Sequence, residues 1–314
     1  MQVPRIAARA GSEEKQPAGL ALWLQALVAE LLLFAKIVLL AFEHVWEKPA
    51  VCHSQASMEG STVVVTGATS GVGRETALEL ARRGARVVIG CRNLQKARRV
   101  AQEIFDRTQQ RVIVKHLDMN SLKSVRHFCD DVIKTEDRLD VLINNAGAIG
   151  HLLKKSSPSR VINVASDFHR LGEVGSVADK ARGVNSVANP TAVYGNAKLA
   201  LCMVTVALAD RLRGTGVTVN SLHPGAVKTH IVDEGPGVRK FLFELILSIK
   251  GKTPQEGAQT SVRLAVDPAL EQTSGEYFEN CAPAAARYRS AHLADHRLAD
   301  EVLRSSLELL GWRW

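Results

Sequence analysis

The sequence predicts an α/β domain built on a doubly wound parallel sheet behind an N-terminal hydrophobic segment, and three observations carry that expectation. From Ser61 onward short β-branched runs alternate with amphipathic stretches, the pattern of strands covered on both faces by helices. The first run leads directly into a glycine-rich turn, Thr66-Gly67-Ala68-Thr69-Ser70-Gly71-Val72-Gly73, and then into a helical pattern. The 314 residues, 46% hydrophobic and 23% charged, suffice for one large α/β domain with a substantial core, and exclude a disordered chain, a collagen and a disulfide-stapled miniprotein.

In chain order the strands are expected at Thr62–Thr66, Arg86–Gly90, Val112–Leu117, Val141–Asn144, Val161–Ala165, Thr218–Leu222 and Glu276–Phe278, short runs rich in Val, Ile, Thr or aromatic residues. Helical periodicity fills intervals between them at Arg74–Arg83, Leu94–Arg107, Ser121–Thr135, Ala192–Leu212 and Pro254–Val266. The last of these opens on Thr253-Pro254-Gln255-Glu256, a capping box with proline at the first helical position. His292 and His296 lie one turn apart without a third ligand or an HExxH glutamate, so they read as a solvated helix face and no metal site is expected.

Four stretches follow: a tail over 1–19, an apolar segment over 20–42, a linker over 43–60 and the α/β domain over 61–314. Leu20 to Phe42 holds 20 apolar residues in 23, enough to cross a bilayer. Glu30 and Lys36 near its middle, at about +2 to +3.5 kcal/mol each, offset most of what the aliphatic residues contribute. A spanning anchor is therefore expected to be marginal. An in-plane helix presenting Gln25, Lys36, Glu43 and Glu47 on one face is the first alternative, and a cleaved signal peptide or soluble helix the second. Arg5, Arg9 and Lys15 before the segment favour a cytosolic amino terminus, which leaves the side of the catalytic domain open when insertion is this marginal.

A net charge of +8 suits nucleic acid, anionic lipid or a phosphorylated small molecule alike. The basic residues over 82–99 lack interleaved aromatics, which argues against nucleic acid. Five cysteines with no C-x-x-C pair indicate reduced thiols facing a cytosol, with neither a disulfide framework nor a thiolate zinc site. Phe241 to Leu247, apolar almost all round and flanked by Arg239, Lys240 and Lys250, reads either as a buried core helix or as a lid or membrane-contacting wall for an apolar substrate.

The turn over Gly67, Thr69, Ser70, Gly71, Val72 and Gly73, set between a strand and a helix, indicates a dinucleotide site. Its glycines admit a tight turn and close backbone approach to a pyrophosphate, while the helix amino terminus offers free N–H groups. At the end of the second strand an NAD site would carry an acid for the ribose 2′-hydroxyl, yet the chain has Cys91-Arg92 and no acidic residue between Gly84 and Arg99. A guanidinium favours a 2′-phosphate, so NADP(H) is expected, held by Arg92 with Arg74 or Ser70 as helpers. Tyr194 and Lys198, four apart, share one helix face, and an ammonium there would pull a phenol toward operating pH.

The glycine turn, Asp118 after the third strand, Asn144-Asn145-Ala146-Gly147 after the fourth and Tyr194-Gly195-Asn196-Ala197-Lys198 resemble the short-chain dehydrogenase/reductase family. The apolar amino terminus, Cys91-Arg92, His223-Pro224-Gly225 and Leu309-Leu310-Gly311 are similar, more narrowly, to its retinol-dehydrogenase-like branch. That resemblance implies a Rossmann-type fold in three α/β/α layers. It implies Ser166, Tyr194 and Lys198 as catalytic residues, with Tyr194 exchanging the proton and Lys198 holding the nicotinamide ribose. It places Asp118 near the adenine, Asn144, Ala146, Gly147, Pro224 and Gly225 along the cofactor, and Thr229 near the carboxamide. The activity implied is NADP-dependent interconversion of an apolar alcohol and its aldehyde or ketone, retinoid-like, in lipid metabolism at the endoplasmic reticulum membrane.

The chain departs from that family at one place. Only 12 residues, Ala148–Ser159, separate Gly147 from Arg160, where the family has a loop and a long central helix that supplies a catalytic asparagine and subunit contacts. The shortening reads as a skipped exon or a gene-model error. It is expected to uncover an apolar strip of sheet, a loss at about 25 cal/mol per Å² comparable with a margin of about 5–15 kcal/mol, and to weaken any homo-oligomer. The alternative function is accordingly a non-catalytic NADP-binding or interaction protein.

Overall fold

The computed structural model describes residues 48–145, 156–173, 190–228 and 251–311, together with Val28, Ala35, Lys36 and Leu39. Contacts divide the chain into Met1–Glu47 and Lys48–Trp314. In the first unit the four described residues are helical, and the rest of the 20–42 segment lies outside the described residues.

The second unit is one eight-stranded sheet with helices on both faces. Its strands are β1 (Thr62–Thr66), β2 (Arg86–Cys91), β3 (Ile113–His116), β4 (Val141–Asn144), β5 (Ser159–Val164), β6 (Val217–His223), β7 (Tyr277–Glu279) and β8 (Ala282–Pro283). The helices are α1 (Gly71–Arg82), α2 (Leu94–Thr108), α3 (Leu122–Thr135), α4 (Pro190–Arg211), α5 (Pro254–Val266) and α6 (His296–Leu309). The spatial order is β3-β2-β1-β4-β5-β6-β7-β8, parallel except for the β7–β8 hairpin. β1, β4 and α5 have the bounds the sequence predicts, and the other expected elements differ at their ends by at most three residues. β8 and α6 were not among the expected elements.

Alternation along the strands assigns the two faces. Val63, Val65, Val87, Ile89, Ile143 and Ile162 pack with apolar residues of α1, α2 and α5. Val64, Val88, Leu142, Val161 and Val219 pack with Val125, Phe128 and Val132 of α3 and Ala209 of α4. Arg160 leaves its own strand to cap α5, donating from Nη1 to the carbonyls of Leu264 at 2.8 Å and Asp267 at 2.9 Å. A cation at a helix carboxyl end is favoured by the dipole as well as by the bonds.

β4 and β5 pair in parallel, Val141 opposite Arg160 and Asn144 opposite Asn163, so the short connection does return the chain to the start of β5. The expected bare strip is not seen. Leu142, Val161 and Val219 are 0%, 6% and 0% exposed, because α3 and the end of α4 close over them. α6 then packs along the outer side of α4, with Ala299, Val302 and Leu303 against Leu199, Met203, Val206 and Ala207. Arg211 of α4 is bonded to Asp300 of α6 at 2.8 Å, and Arg126 of α3 donates to the Leu310 carbonyl at 2.9 Å. The last helix thus ties together the two helices between which the family's central helix was expected.

Thr191–Arg211 is long and apolar enough to cross a membrane by length and composition, but it is packed between the sheet and α6 as a core helix. Residues 48–60, expected as linker, belong to the compact unit: Cys52 and Met58 are buried, and Arg83 donates to the Ser54 carbonyl at 2.7 Å. The segment 241–247 lies outside the described residues. If α6 stabilises the domain through α4, Leu303→Ala in the full chain costs about 2–5 kcal/mol, read as a lowered denaturant midpoint. An unchanged midpoint contradicts this role for α6.

Candidate active site

The described residues expected along the cofactor, and Ser166, lie at or just beyond the carboxyl ends of parallel strands or at the start of the helix that follows, while Tyr194 and Lys198 lie on α4. The glycine turn follows β1, Arg92 follows β2, Asp118 follows β3, Asn144 ends β4, Ser166 follows β5, and Pro224 and Gly225 follow β6. Strand order reverses between β1 and β4, the crevice where ligands of open α/β sheets bind. Ala146, Gly147 and Thr229 lie outside the described residues.

The turn after β1 has the features a pyrophosphate needs. Gly67 and Gly71 take φ values of 68° and 58°, and Gly73 is so close to the turn that a Cβ there would sit 2.8 Å from the Gly67 carbonyl oxygen. Ser70 begins α1 without a side-chain cap, which leaves the first-turn N–H groups to a ligand. The Asn144 Oδ1 atom is buried without a partner among the described residues, while its Nδ2 donates to Asn163 at 2.8 Å. The residues present therefore fit a nicotinamide dinucleotide. Asp118 is fixed by its main chain, its N–H donating to Ser124 Oγ at 2.9 Å.

The two basic helpers differ. Arg74 is engaged by Glu75 at 2.7 Å and Glu103 at 3.3 Å, which burdens it as a phosphate ligand. Arg92 is exposed at the end of β2 and makes no ion pair among the described residues.

Ser166, Tyr194 and Lys198 are brought together by a close approach of two glycines. Ser166 starts a short 3-10 turn, Asp167–Leu171, whose end packs on α4; a Cβ at Gly172 would lie 2.8 Å from the Gly195 carbonyl oxygen. The Ser166 hydroxyl accepts from the Phe168 N–H at 3.3 Å and lies close enough to the Tyr194 phenol to act on its pKa. The Tyr194 ring meets Phe168 edge-on at 5.7 Å and keeps 40% of the residue exposed. One turn on, Lys198 Nζ donates to the Val164 carbonyl at 3.0 Å and stands 5.6 Å from the Tyr194 ring centroid.

The electrostatics run opposite to the expected pull of the lysine. Burial pushes the Tyr194 phenol above its ordinary value of 10.0, against a lowering by the Ser166 hydroxyl. Burial likewise lowers the Lys198 ammonium from 10.5. The ammonium is committed to the β5 main chain and lies over the ring, and desolvation is the largest influence on both groups. Both groups are biased toward their neutral forms.

Three supporting residues were not singled out from the sequence. His169, fully buried, has Nδ1 2.9 Å from the Ser166 carbonyl oxygen and accepts at Nε2 from the Ser290 N–H at 3.2 Å, which assigns the proton to Nδ1. Burial lowers its pKa, keeping the ring neutral. Asn163 donates to Thr205 Oγ1 at 2.8 Å and so links β4, β5 and α4. An asparagine inside Val161-Ile162-Asn163-Val164 was the one available signal, since a polar side chain in a buried strand needs partners.

A family model described as short chain dehydrogenase matches residues 61–236. Retinol dehydrogenase 14 of Mus musculus is 41% identical over 268 residues, 71% of this chain and 79% of that protein. Retinol dehydrogenase 11 of Homo sapiens is 38% identical over 293 residues, 83% of this chain and 89% of that protein. The fold is also similar to Pseudomonas aeruginosa RhlG, solved as an NADP active-site complex, with a TM-score of 0.58 at 22% identity over 72% of this chain and 97% of that one. With its parallel sheet, glycine turn and serine, tyrosine and lysine side by side, the chain belongs to the short-chain dehydrogenase/reductase family, in its retinol-dehydrogenase-like branch.

Proposed function

We propose that the chain is an NADP(H)-dependent oxidoreductase that interconverts an apolar, retinoid-like alcohol and its aldehyde or ketone at a membrane. The observation that carries the chemistry is the convergence of Ser166, Tyr194 and a half-buried Lys198, whose ammonium is held by the Val164 carbonyl and stands over the Tyr194 ring. The choice of cofactor rests on Arg92, exposed and without an ion pair among the described residues at the strand end where an NAD site would carry an acid. The retinol dehydrogenases among the relatives support the substrate class. The 20–42 segment supports membrane attachment, with the endoplasmic reticulum as the location.

When bound, NADP(H) supplies the hydride carrier. Gly67, Thr69, Ser70, Gly71, Val72 and Gly73 would cradle its pyrophosphate and Arg92 its 2′-phosphate. In the reductive direction the Tyr194 hydroxyl gives its proton to the carbonyl oxygen, and in the oxidative direction it takes the proton back. The Ser166 hydroxyl accepts from the Phe168 N–H, which leaves its one proton to be donated to the substrate oxygen. Lys198 would hold the nicotinamide ribose. Its ammonium is fixed by the Val164 carbonyl, so its placement draws nothing from the shortened connection.

Tyr194→Phe is expected to lower kcat for reduction of a long-chain aldehyde or retinal by about 10²–10⁴-fold, measured as NADPH oxidation. Activity surviving that change removes the assignment. Because burial holds the phenol above 10.0, the protonated acid persists as pH rises through neutrality, and wild-type reduction declines only at alkaline pH; a decline centred near neutrality contradicts this.

Arg92→Ala is expected to weaken NADPH binding about 10–100-fold in calorimetric titration and leave NADH binding within about threefold. Equal affinity of the wild type for the two cofactors refutes the NADP reading. The full chain should remain with membranes through alkaline carbonate extraction, and a chain starting at Lys48 should not. Release of the full chain refutes attachment through 20–42.

A further inference from the structure

Asn280 stands at the corner where the β7–β8 hairpin, residues 48–52 as an N-terminal strap, and the start of α5 meet. With Cys281 it forms the two-residue hairpin loop, and both have positive φ, 45° and 61°, the geometry in which asparagine is tolerated better than most side chains. Its side chain then makes three bonds away from its own hairpin. Oδ1 accepts from the Ala50 N–H at 2.7 Å and from Lys252 Nζ at 3.1 Å, and Nδ2 donates to the Lys48 carbonyl at 3.0 Å.

Lys252 carries this contact to the loop after β6. Its main chain brackets that loop: its N–H donates to the Ala226 carbonyl at 2.8 Å, and its carbonyl accepts from the Lys228 N–H at 3.0 Å. Its side chain lies across Gly225, where a Cβ would meet Lys252 Cδ at 2.7 Å and Nζ at 3.0 Å. Gly225, at φ 88°, is thus held from one side by a lysine whose head is fixed on Asn280. The same asparagine fixes the strap, which Gln259 of α5 also bonds through the Cys52 N–H at 3.0 Å.

We infer that Asn280 is a positioning residue for the Pro224–Lys228 loop, setting cofactor affinity through Lys252 and making that affinity depend on the N-terminal strap. This rests on the reading of that loop as part of the NADP(H) site. Neither the strap nor the hairpin need touch the cofactor. Orienting two main-chain segments and a lysine with one planar amide fixes the loop before the cofactor arrives, and preorganisation of that kind raises affinity by cutting the ordering cost of binding.

Calorimetric titration of the detergent-solubilised full chain with NADPH tests it, using Asn280→Gly, Asn280→Asp and Lys252→Met. Glycine keeps the positive φ and removes the amide. Aspartate keeps the two acceptor contacts, makes the one to Lys252 charge-assisted, and turns the donor contact to the Lys48 carbonyl into a repulsion. Expected is a Kd for NADPH raised about threefold to tenfold in Asn280→Gly and in Lys252→Met, with Asn280→Asp closer to wild type. In turnover, KM for NADPH rises by more than kcat falls, a split that a general loss of stability does not produce.

Wild-type affinity in Asn280→Gly overturns the inference, and if that variant does not fold, wild-type affinity in Lys252→Met overturns it. A wild type that does not bind NADPH overturns the NADP(H) reading itself and this inference with it.

Discussion

The register of β5 against β4 sets where the candidate site residues after it stand. With Asn144 opposite Asn163, two bonds at 2.8 Å run from β4 through β5 to Thr205 in the middle of α4. All three residues are at most 2% exposed, where a polar atom left unpaired is costly, so a slip of one residue would strand several such atoms at once. The polar chain locks register where apolar contacts alone would leave it softer. Beyond it Ser166 leaves β5 and Tyr194 and Lys198 project from the start of α4, and their meeting is a consequence of that lock.

Main-chain pairing in a parallel sheet does not require a helix in the crossover; it requires enough chain to return. Residues 145–158 meet that condition. What a crossover helix ordinarily adds is cover, and here the cover has two sources. α3 and α4 close over Leu142 and Val161, and α6, from the far end of the chain, holds α4 from outside while bonding α3 at Leu310. The layer is completed by residues more than a hundred positions away in sequence, which is why counting residues between β4 and β5 predicted a bare strip that the fold does not have.

Much of this was readable. The strands follow from β-branched runs, and the cofactor turn from glycines between a strand and a helix. α6 left a weaker trace: Asp295, which caps it by accepting from the Leu298 N–H at 2.9 Å, precedes Ala299, Val302 and Leu303 at helical spacing. The supporting contacts were not readable, because each joins residues far apart by geometry that no local pattern encodes. His169 to Ser290 spans 121 positions and Asn280 to Lys48 spans 232. The direction of the Tyr194 shift was misjudged for a related reason. Spacing shows that two side chains share a helix face, whereas the balance of burial against charge depends on where the ammonium points and how deep both groups sit.

That balance bears on how the site can work. Lys198 is held by a carbonyl and made less willing to carry its charge, Tyr194 is made less willing to lose its proton, and His169 is kept neutral behind Ser166. Partial burial of these groups lowers the local dielectric below that of water, so on the proposed reading a charge developing on the substrate oxygen is felt more strongly there. Proton transfer is then governed by the oxygen of the substrate rather than by a standing phenolate. On that reading, as the substrate oxygen gains negative charge the Tyr194 and Ser166 hydroxyls would strengthen their hold on it. The desolvation that raises the phenol's pKa in the resting chain would then favour a neutral tyrosine as the donor rather than a standing phenolate.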